Sequence, residues 1–323
     1  MIKGKKIFLT GGAGFIGTKL ANELYRDNHI HIYDNLNRNS IKNTNLLKNL
    51  NITLEQGDIL DFEQIKKSIV SYQPDIIIHL AAVAGIDTVI KSPTATMKVN
   101  MVGTYHVLES AITSNHKVER FIDFSTSEVF GSYAYKVEET STTNLAPVGE
   151  ARWTYSVSKL AAEHLTHSYY KEFGLPTVSV RPFNIYGPGQ VGEGAIHVFV
   201  NKALNNEDLC IHGDGDQIRS WCYVDDFVNA ILLCLENKEA VGGSFNIGNP
   251  RGTITINHLA EMIVRLSESN SKIVRVPKNY VDVELRIPSI EKARQVLGYE
   301  PSVDLTEGLL RTINWYRENG TNI

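Results

Sequence analysis

Residues 5–17 read KKIFLTGGAGFIG, and this stretch decides the predicted fold. The apolar run before Gly11 predicts a short strand, and the periodicity that begins at Phe15 predicts a helix directly after the loop. In such a loop Gly11 permits the tight turn, Gly14 lets the backbone approach a pyrophosphate, and Gly17 lets the helix pack on the strand. The free N–H groups and the dipole of the helix N-terminus then favour an anion. The stretch therefore predicts a dinucleotide-binding loop.

The residue after the second predicted strand indicates which dinucleotide binds. That strand, residues 29–33, is followed directly by Asp34. A carboxylate at this point accepts hydrogen bonds from the adenosine ribose and repels a 2′-phosphate. We therefore expect NAD rather than NADP as the cofactor. Arg38 is the residue that would reverse this preference if it paired with the additional phosphate.

Strands and helices continue to alternate after this unit. The isoleucines at residues 76–78 show no alternation with polar residues, which is typical of a strand buried on both faces of a parallel sheet. This strand ends in Ala81 and Ala82, whose small side chains suit the close approach of a dinucleotide. The strand predicted at residues 51–56 ends near Asp58, whose carboxylate is placed to meet the adenine amino group. The alternation predicts an α/β fold with a Rossmann-type doubly wound parallel sheet.

A hydroxyl cluster and a Tyr-x-x-x-Lys pair indicate the chemistry. Tyr155 and Lys159 stand four residues apart in a helical pattern, so both side chains point from the same face. We expect the lysine ammonium to favour the phenolate and to lower the pKa of Tyr155. Residues 125–127 read Ser-Thr-Ser and follow a predicted strand, at the end of the sheet where open α/β folds bind ligands. This combination predicts removal of a hydroxyl proton while a hydride leaves the same carbon.

Composition excludes several other classes of protein. The chain has 323 residues, 42% of them hydrophobic, and a formal net charge of −4, which does not favour nucleic acid or a membrane surface as a partner. No apolar run approaches the ~18 residues of a membrane span. The cysteines Cys210, Cys222 and Cys234 lack the spacing of metal ligands, and their odd number argues against a disulfide framework. We expect a cytoplasmic protein without a metal.

Taken together, these motifs resemble the extended short-chain dehydrogenase/reductase family, in particular its nucleotide-sugar epimerases, dehydratases and decarboxylases. The similarity covers nearly the whole chain and is carried by GGAGFIG, YDNL, GDI, HLAA, VNMVGT, STSEVFG, YSVSK, RPFNIYGPG, GDGDQIRSWCYVDD and FNIGNP. The cofactor-binding residues expected from the loop pattern and the resemblance are Gly11, Gly14, Phe15, Ile16, Gly17, Asp34, Asn35, Asp58, Ile59, Ala81, Ala82, Asn100, Tyr155 and Lys159.

The resemblance also implies roles for the catalytic and substrate-binding residues. Tyr155 takes the proton of the sugar 4-hydroxyl while NAD takes a hydride from C4. Thr126 hydrogen-bonds the reacting oxygen, and Lys159 holds the nicotinamide ribose. The residues expected on the substrate side are Ser127, Asn184, Arg219 and Arg286.

The resemblance leaves three reactions open after C4 is oxidised. Glu128, two positions past Thr126, can reach C5 as a general base, so we favour a 4,6-dehydratase acting on a nucleotide hexose or N-acetylhexosamine. The dTDP-glucose dehydratases have Asp where this chain has Ser127, which argues against dTDP-glucose. The alternatives are a UDP-glucuronate decarboxylase, then a 4-epimerase. RWTYSVSK, GNP and RIPSI are similar to the decarboxylases, although Glu128 would repel a uronate carboxylate unless Arg286 or Arg152 intervened.

A protein that binds NAD without turnover is the non-catalytic alternative. Such a protein would be expected to lose Tyr155 or Lys159, and this chain keeps both. The family resemblance further implies a homodimer formed through helices at residues 93–115 and 155–173. It divides the chain into an NAD-binding Rossmann domain, residues 1–180, and a nucleotide-sugar-binding domain, residues 181–323. We expect the segment at about 222–247 to return to the first domain.

Overall fold

Strands and helices alternate in the computed structural model, which describes residues 2–278 and 280–320. The strands are β1 (Lys6–Thr10), β2 (His29–Asp34), β3 (Ile52–Gln56), β4 (Ile76–His79), β5 (Arg120–Phe124), β6 (Tyr133–Val137), β7 (Thr177–Pro182), β8 (Ile185–Tyr186), β9 (Leu209–His212), β10 (Ile218–Ser220), β11 (Cys222–Tyr223), β12 (Ser244–Ile247), β13 (Thr253–Thr255), β14 (Ile273–Val276) and β15 (Leu285–Pro288). The helices are α1 (Phe15–Leu24), α2 (Phe62–Tyr72), α3 (Ile86–Lys91), α4 (Pro93–Met97), α5 (Thr104–Thr113), α6 (Thr154–Phe173), α7 (Ala195–Leu204), α8 (Val224–Glu236), α9 (Ile256–Leu266) and α10 (Leu305–Asn319). A π-helical turn, Lys98–Gly103, joins α4 to α5.

The main sheet is parallel and has seven strands in the order β12-β7-β5-β4-β1-β2-β3. Its inner strands β1, β4, β5 and β7 are buried on both faces because helices cover both. In β1, Ile7 and Leu9 pack into one core layer while Phe8 packs into the opposite layer, and all three are fully buried. This arrangement confirms the predicted Rossmann-type α/β fold.

Two glycines of the loop after β1 are required by close approach. Gly11 has φ +69°, and a Cβ there would lie 2.6 Å from the backbone nitrogen of Ala81. A Cβ on Gly17 would lie 2.5 Å from the Cα of Gly12. The loop therefore brings α1, β1 and the end of β4 together only because side chains are absent.

A smaller four-stranded sheet, in the order β13-β10-β15-β6, lies beyond the carboxyl ends of the main strands. Strand β6 comes from the first half of the chain, but it pairs with β15 from the second half. Helix α8 and strand β12 come from the second half but contribute to the main sheet layer, since β12 pairs with β7 and Phe227 of α8 stacks edge-on against Phe124 of β5. The chain therefore crosses between the two sheets several times.

A row of polar residues crosses five neighbouring strands of the main sheet. Parallel register aligns them in neighbouring strands: Thr10, His79, Asp123, Ser179 and Ser244. His79 is fully buried between the hydroxyls of Thr10, at 2.7 Å, and Thr104, at 3.0 Å. This row replaces apolar packing where α6 covers the sheet.

Other expectations from composition concern cysteines, metals and membranes. Cys210, Cys222 and Cys234 are all free thiols. Within residues 2–278 and 280–320, no cluster of three or more histidine, cysteine or acidic side chains is placed to hold a metal. None of the helices in those ranges combines the length and apolar character needed to cross a membrane.

Candidate active site

A cleft of about 860 Å³ opens at the carboxyl ends of the main strands, between the two sheets. It brings together residues that are up to 275 positions apart in the chain, from Gly11 to Arg286. The predicted site residues that line it are Gly11, Gly14, Phe15, Ile16, Gly17, Asp34, Asn35, Asp58, Ile59, Ala81, Ala82, Thr126, Ser127, Glu128, Tyr155, Lys159, Asn184 and Arg286. Two predicted residues, Asn100 and Arg219, lie behind this lining.

The half of the cleft formed by β1, β2 and β3 fits a dinucleotide. The N-terminus of α1 faces it without a capping side chain at Gly14. The Asp34 carboxylate accepts hydrogen bonds from the backbone N–H groups of Ala13, at 3.0 Å, and Leu36, at 2.7 Å. Each carboxylate oxygen keeps a further lone pair for a ribose hydroxyl. Asp34 thus shapes the loop as well as offering a carboxylate to the cofactor.

Asn100 supports the cleft wall from behind. It is fully buried in the π-helical turn, where its side chain accepts a hydrogen bond from Val83 N–H at 2.8 Å. Its amide donates to the Val83 carbonyl and to the Ser158 hydroxyl, each at 3.0 Å. The side chain therefore ties the loop after β4 to α6, next to the helical turn that carries Tyr155 and Lys159.

The Tyr155 phenol lies beside Thr126, whose hydroxyl hydrogen-bonds it. Burial and the Glu128 carboxylate raise the pKa of Tyr155 to about 12, against the opposite effects of Thr126 and two arginines. The expected lowering of this pKa by Lys159 is not found. The reason is that burial outweighs the nearby positive charges, and that the Lys159 ammonium acts chiefly on other acids.

Those acids lie beneath Lys159, which is itself buried. Burial lowers the pKa of Lys159, while the charges of Asp123 and Glu163 raise it. Glu163 is bound by Arg181 at 2.9 Å and by the hydroxyl of Ser125 at 2.5 Å. Asp123 has no well-directed hydrogen bond from any described residue, and burial raises its pKa to about 6. The lysine is therefore held over an incompletely satisfied carboxylate that the sequence reasoning did not single out.

Glu128 is part of an ion cluster at the opposite wall. The backbone N–H of Glu128 donates to the Thr126 hydroxyl at 3.2 Å, which fixes the short 3₁₀ turn that carries the carboxylate. Both carboxylate oxygens accept from Arg152, at 2.6 and 2.9 Å, and Arg286 lies 3.5 Å away. Asp282 lies 3.6 Å from Arg152 and 3.4 Å from Arg219.

The cluster carries more positive than negative charge. Arg152, Arg219 and Arg286 outnumber Glu128 and Asp282 by three to two. The arginines hold the pKa of Glu128 at about 2, even though burial opposes this.

The guanidinium groups are also incompletely paired. Burial, together with the neighbouring cations Arg219 and Arg152, lowers the pKa of Arg286 to about 10. The Nε atoms of Arg152 and Arg286 are buried and find no acceptor in the described part of the chain. A wall with surplus positive charge favours an anionic ligand group.

This pairing of Glu128 was only partly foreseen from the sequence. The sequence indicates Arg152 as a residue that offsets Glu128, but no motif points to Asp282. The one available signal was the position of Arg152, three residues before Tyr155, in the turn that starts α6.

The remaining predicted substrate residue, Asn184, occupies a strained position at the edge of the cleft. Its backbone has φ +45°, and its side-chain amide donates to the Ser220 carbonyl at 2.9 Å. The contact joins the segment after β7 to β10, which carries Arg219.

The chain is similar in sequence to a known protein family and to proteins with named activities. Residues 7–248 match the model of the family described as NAD dependent epimerase/dehydratase. A UDP-N-acetyl-alpha-D-glucosaminuronate decarboxylase of Bacillus cytotoxicus is 34% identical over 97% of this chain and 98% of its own length. A human dTDP-D-glucose 4,6-dehydratase is 34% identical over 98% of this chain and 91% of its own length.

A solved structure shows the same fold with ligands bound. The UDP-glucuronic acid 4-epimerase from Bacillus cereus, in complex with UDP-glucuronic acid and NAD, superposes with a TM-score of 0.87. It is 29% identical and the match covers 97% of this chain and 99% of that one. These similarities confirm the resemblance drawn from the motifs and the prediction of NAD as cofactor.

Proposed function

Because this chain belongs to the NAD dependent epimerase/dehydratase family, we propose that it is an NAD-dependent decarboxylase of a nucleotide-linked uronic acid. The family relationship accounts for NAD and for oxidation at the sugar C4. The proposal differs from the 4,6-dehydratase favoured by the sequence in the step that follows oxidation at C4.

The contact between Glu128 and Arg152 carries this proposal. A general base that works near neutral pH needs a pKa near that pH, whereas the arginines hold the pKa of Glu128 at about 2. A carboxylate bound at both oxygens is therefore poorly suited to remove a proton from C5. Ser127 is likewise a weak acid for expelling a 6-hydroxyl. Decarboxylation needs neither step.

The surplus positive charge supports an anionic sugar. Arg286 lines the cleft and Arg152 lies behind the lining, and both act on Glu128 and on the Tyr155 phenol. They would offset the repulsion between Glu128 and a uronate carboxylate, which was the objection to this substrate. A neutral hexose would leave the surplus positive charge of the cluster without a counter-ion.

The residues then divide the reaction as follows. Thr126 positions the sugar 4-oxygen, and Tyr155 accepts its proton as a phenolate, a form that the positive charge of bound NAD would favour. The loop after β1 and Asp34 would hold NAD, which would supply the hydride acceptor for C4 and the hydride for the final reduction. Arg286, which lines the cleft, holds the carboxylate, which is β to the new ketone, while Arg152 neutralises Glu128. Its C5–C6 bond breaks, CO2 leaves, the electron pair stays on the C4–C5 enolate, and a proton adds at C5. Tyr155 finally returns its proton to the 4-oxygen.

Mass spectrometry of products from a panel of nucleotide sugars tests the proposal. UDP-glucuronate and UDP-N-acetylglucosaminuronate would be compared with UDP-, GDP-, dTDP- and CDP-linked neutral hexoses. We expect a loss of 44 mass units from a uronate and no change in the neutral sugars. A loss of 18 units from a neutral hexose, with both uronates unchanged, would show dehydration and overturn the proposal.

The 4,6-dehydratase is the second candidate, and a specific observation favours it. Glu128 lies in the cleft two positions past Thr126, and it could become a base if substrate drew Arg152 away. Several relatives at 30–34% identity are named dTDP-glucose 4,6-dehydratases. Solvent deuterium does not distinguish the two reactions at C5, but the mass change does.

We also propose the two-domain division and a homodimer. The division assigns the cofactor half of the cleft to residues 1–180 and the sugar-nucleotide half to residues 181–323, with α8 and β12 returning to the main sheet. Exposed apolar side chains on the π-helical turn, α5 and α6 support an interface there: Val102, Tyr105, Val157 and Phe173.

A further inference from the structure

The loop between β8 and α7 crosses the cleft and is fastened on the far side. The Glu193 carboxylate accepts hydrogen bonds from the backbone N–H of Asp87, at 2.8 Å, and of Thr88, at 3.2 Å. The Thr88 hydroxyl donates to the same carboxylate. A segment beside the sugar-nucleotide half is thus bound to the start of α3, next to the end of β4.

Arg38 reaches the same place from a third loop. Its backbone carbonyl lies 3.9 Å from the position of a Cβ on Gly14, beside the pyrophosphate-binding turn. Its guanidinium donates to the Ala84 carbonyl at 2.7 Å and lies 3.7 Å from the Glu193 carboxylate. The side chain therefore runs from the loop after β2 to the loop after β4, along the lining of the cleft.

Two glycines make room for this meeting. A Cβ on Gly85 would lie 2.6 Å from a Glu193 carboxylate oxygen and 2.8 Å from an Arg38 guanidinium nitrogen. A Cβ on Gly192 would lie 3.0 Å from the centre of the guanidinium. Both glycines have positive φ, +103° and +93°. Backbone thus lies close to the pair on two sides, although the Arg38 side chain remains 41% exposed.

We propose that Arg38 and Glu193 form a clasp that holds NAD in the cleft between turnovers, with Arg38 facing the pyrophosphate. Arg38, Lys159 and Arg286 are the cations among the described lining residues, and only Arg38 lies beside the phosphate-binding turn. Its contacts with Ala84 and Glu193 direct it across the pyrophosphate and away from a 2′-phosphate. The clasp suits a reaction in which the hydride returns to the same sugar, because release of the reduced cofactor would strand the ketone.

The test measures cofactor dissociation and needs no sugar substrate. Protein loaded with adenine-labelled NAD is chased with excess unlabelled NAD, and retained label is followed over time. We expect Glu193→Gln and Arg38→Gln each to raise the dissociation rate by ~10-fold, as for the loss of a charge-assisted contact. Glu261→Gln, an exposed substitution on α9, is the matched control and should dissociate at the wild-type rate.

Binding of a second ligand, AMP, distinguishes a direct effect of the clasp on NAD from a general effect on the fold. AMP occupies the adenosine half without spanning the pyrophosphate, so its affinity should change by less than twofold in either variant. Unchanged NAD dissociation in both variants would overturn the proposal. An equal loss of AMP and NAD affinity would also overturn it, because the pair would then act only on the fold. Neither outcome depends on which sugar the enzyme modifies.

Discussion

The Glu128 carboxylate gives both of its oxygens to Arg152, and this contact makes Arg152 the residue that best tests the charge arrangement. We predict that Arg152→Gln lowers kcat/KM for the uronate by ~10²-fold and the free energy of unfolding by ~3 kcal/mol, because a buried charge loses its partner. Arg152→Lys keeps the charge but not the bidentate geometry, so it should recover part of the activity. Steady-state kinetics and chemical denaturation measure these effects, and uronate turnover within twofold of wild type in Arg152→Gln would contradict them.

Asp34 is the residue that should set the preference for NAD. We predict that NAD binds at least ~10-fold more tightly than NADP, since a 2′-phosphate would face this carboxylate. Asp34→Asn should reduce the difference in affinity between NAD and NADP. It is a better test than Asp34→Ala, because the alanine variant would also release the backbone of Ala13 and Leu36. Isothermal titration calorimetry with both cofactors decides the matter, and equal affinities in the wild type would refute this role.

Among the structural elements, the strand–loop–helix unit around Gly11 was predictable and the charge pairing was not. Glycine spacing and apolar periodicity are local, so they specify β1, α1 and the turn between them. The pKa of Tyr155 and the pairing of Glu128 depend on burial and on residues from distant elements. Arg286 reaches Glu128 because β15 pairs with β6 in the smaller sheet, and Asp282, just before β15, reaches Arg152 and Arg219. No local pattern carries that information.

The polar row across the main sheet leads to a prediction about pH and stability. Burial, with a smaller effect of Lys159, lowers the pKa of His79 to about 3 from an unfolded value of 6.5. Because the unfolded chain binds this proton first, stability is lost as the pH falls below 6.5. Between pH 7 and pH 5 the loss should be about 2 kcal/mol.

Replacing His79 should remove its contribution to the pH dependence of the unfolding free energy. The difference in unfolding free energy between wild type and His79→Gln should therefore shrink by about 2 kcal/mol from pH 7 to pH 5. His258→Gln, an exposed substitution on α9, should keep the wild-type pH dependence. Urea denaturation at both pH values measures this, and a difference that stays constant would mean that the pKa of His79 is the same in the folded and unfolded protein.

At the scale of the whole molecule, exposed apolar side chains on the π-helical turn, α5 and α6 predict a dimer. Light scattering should give about twice the chain mass of 36.1 kDa at micromolar concentration. Tyr105→Asp, on α5, should shift the mass to the monomer because it buries a charge in the interface. Tyr133→Asp, at an exposed tyrosine on β6, is the matched control. A monomeric wild type would contradict the dimer.

The proposed reaction needs residues from both sheets of the molecule. The main sheet supplies Tyr155, Thr126 and the cofactor loop, and the smaller sheet supplies Arg286. If C4 must first be oxidised, with Tyr155 accepting the hydroxyl proton, CO2 cannot leave without this residue, because only the ketone makes the C6 carboxylate labile. Loss of CO2 is therefore linked to the first proton transfer.

The most direct test measures CO2 released from a nucleotide uronate labelled with ¹³C at C6. The wild-type protein should release one labelled CO2 for each pentose product, with no lasting absorbance at 340 nm. Tyr155→Phe should release none and should show no transient at that wavelength. Absence of labelled CO2 from the wild type, or its release by Tyr155→Phe at the wild-type rate, would contradict decarboxylation through C4 oxidation.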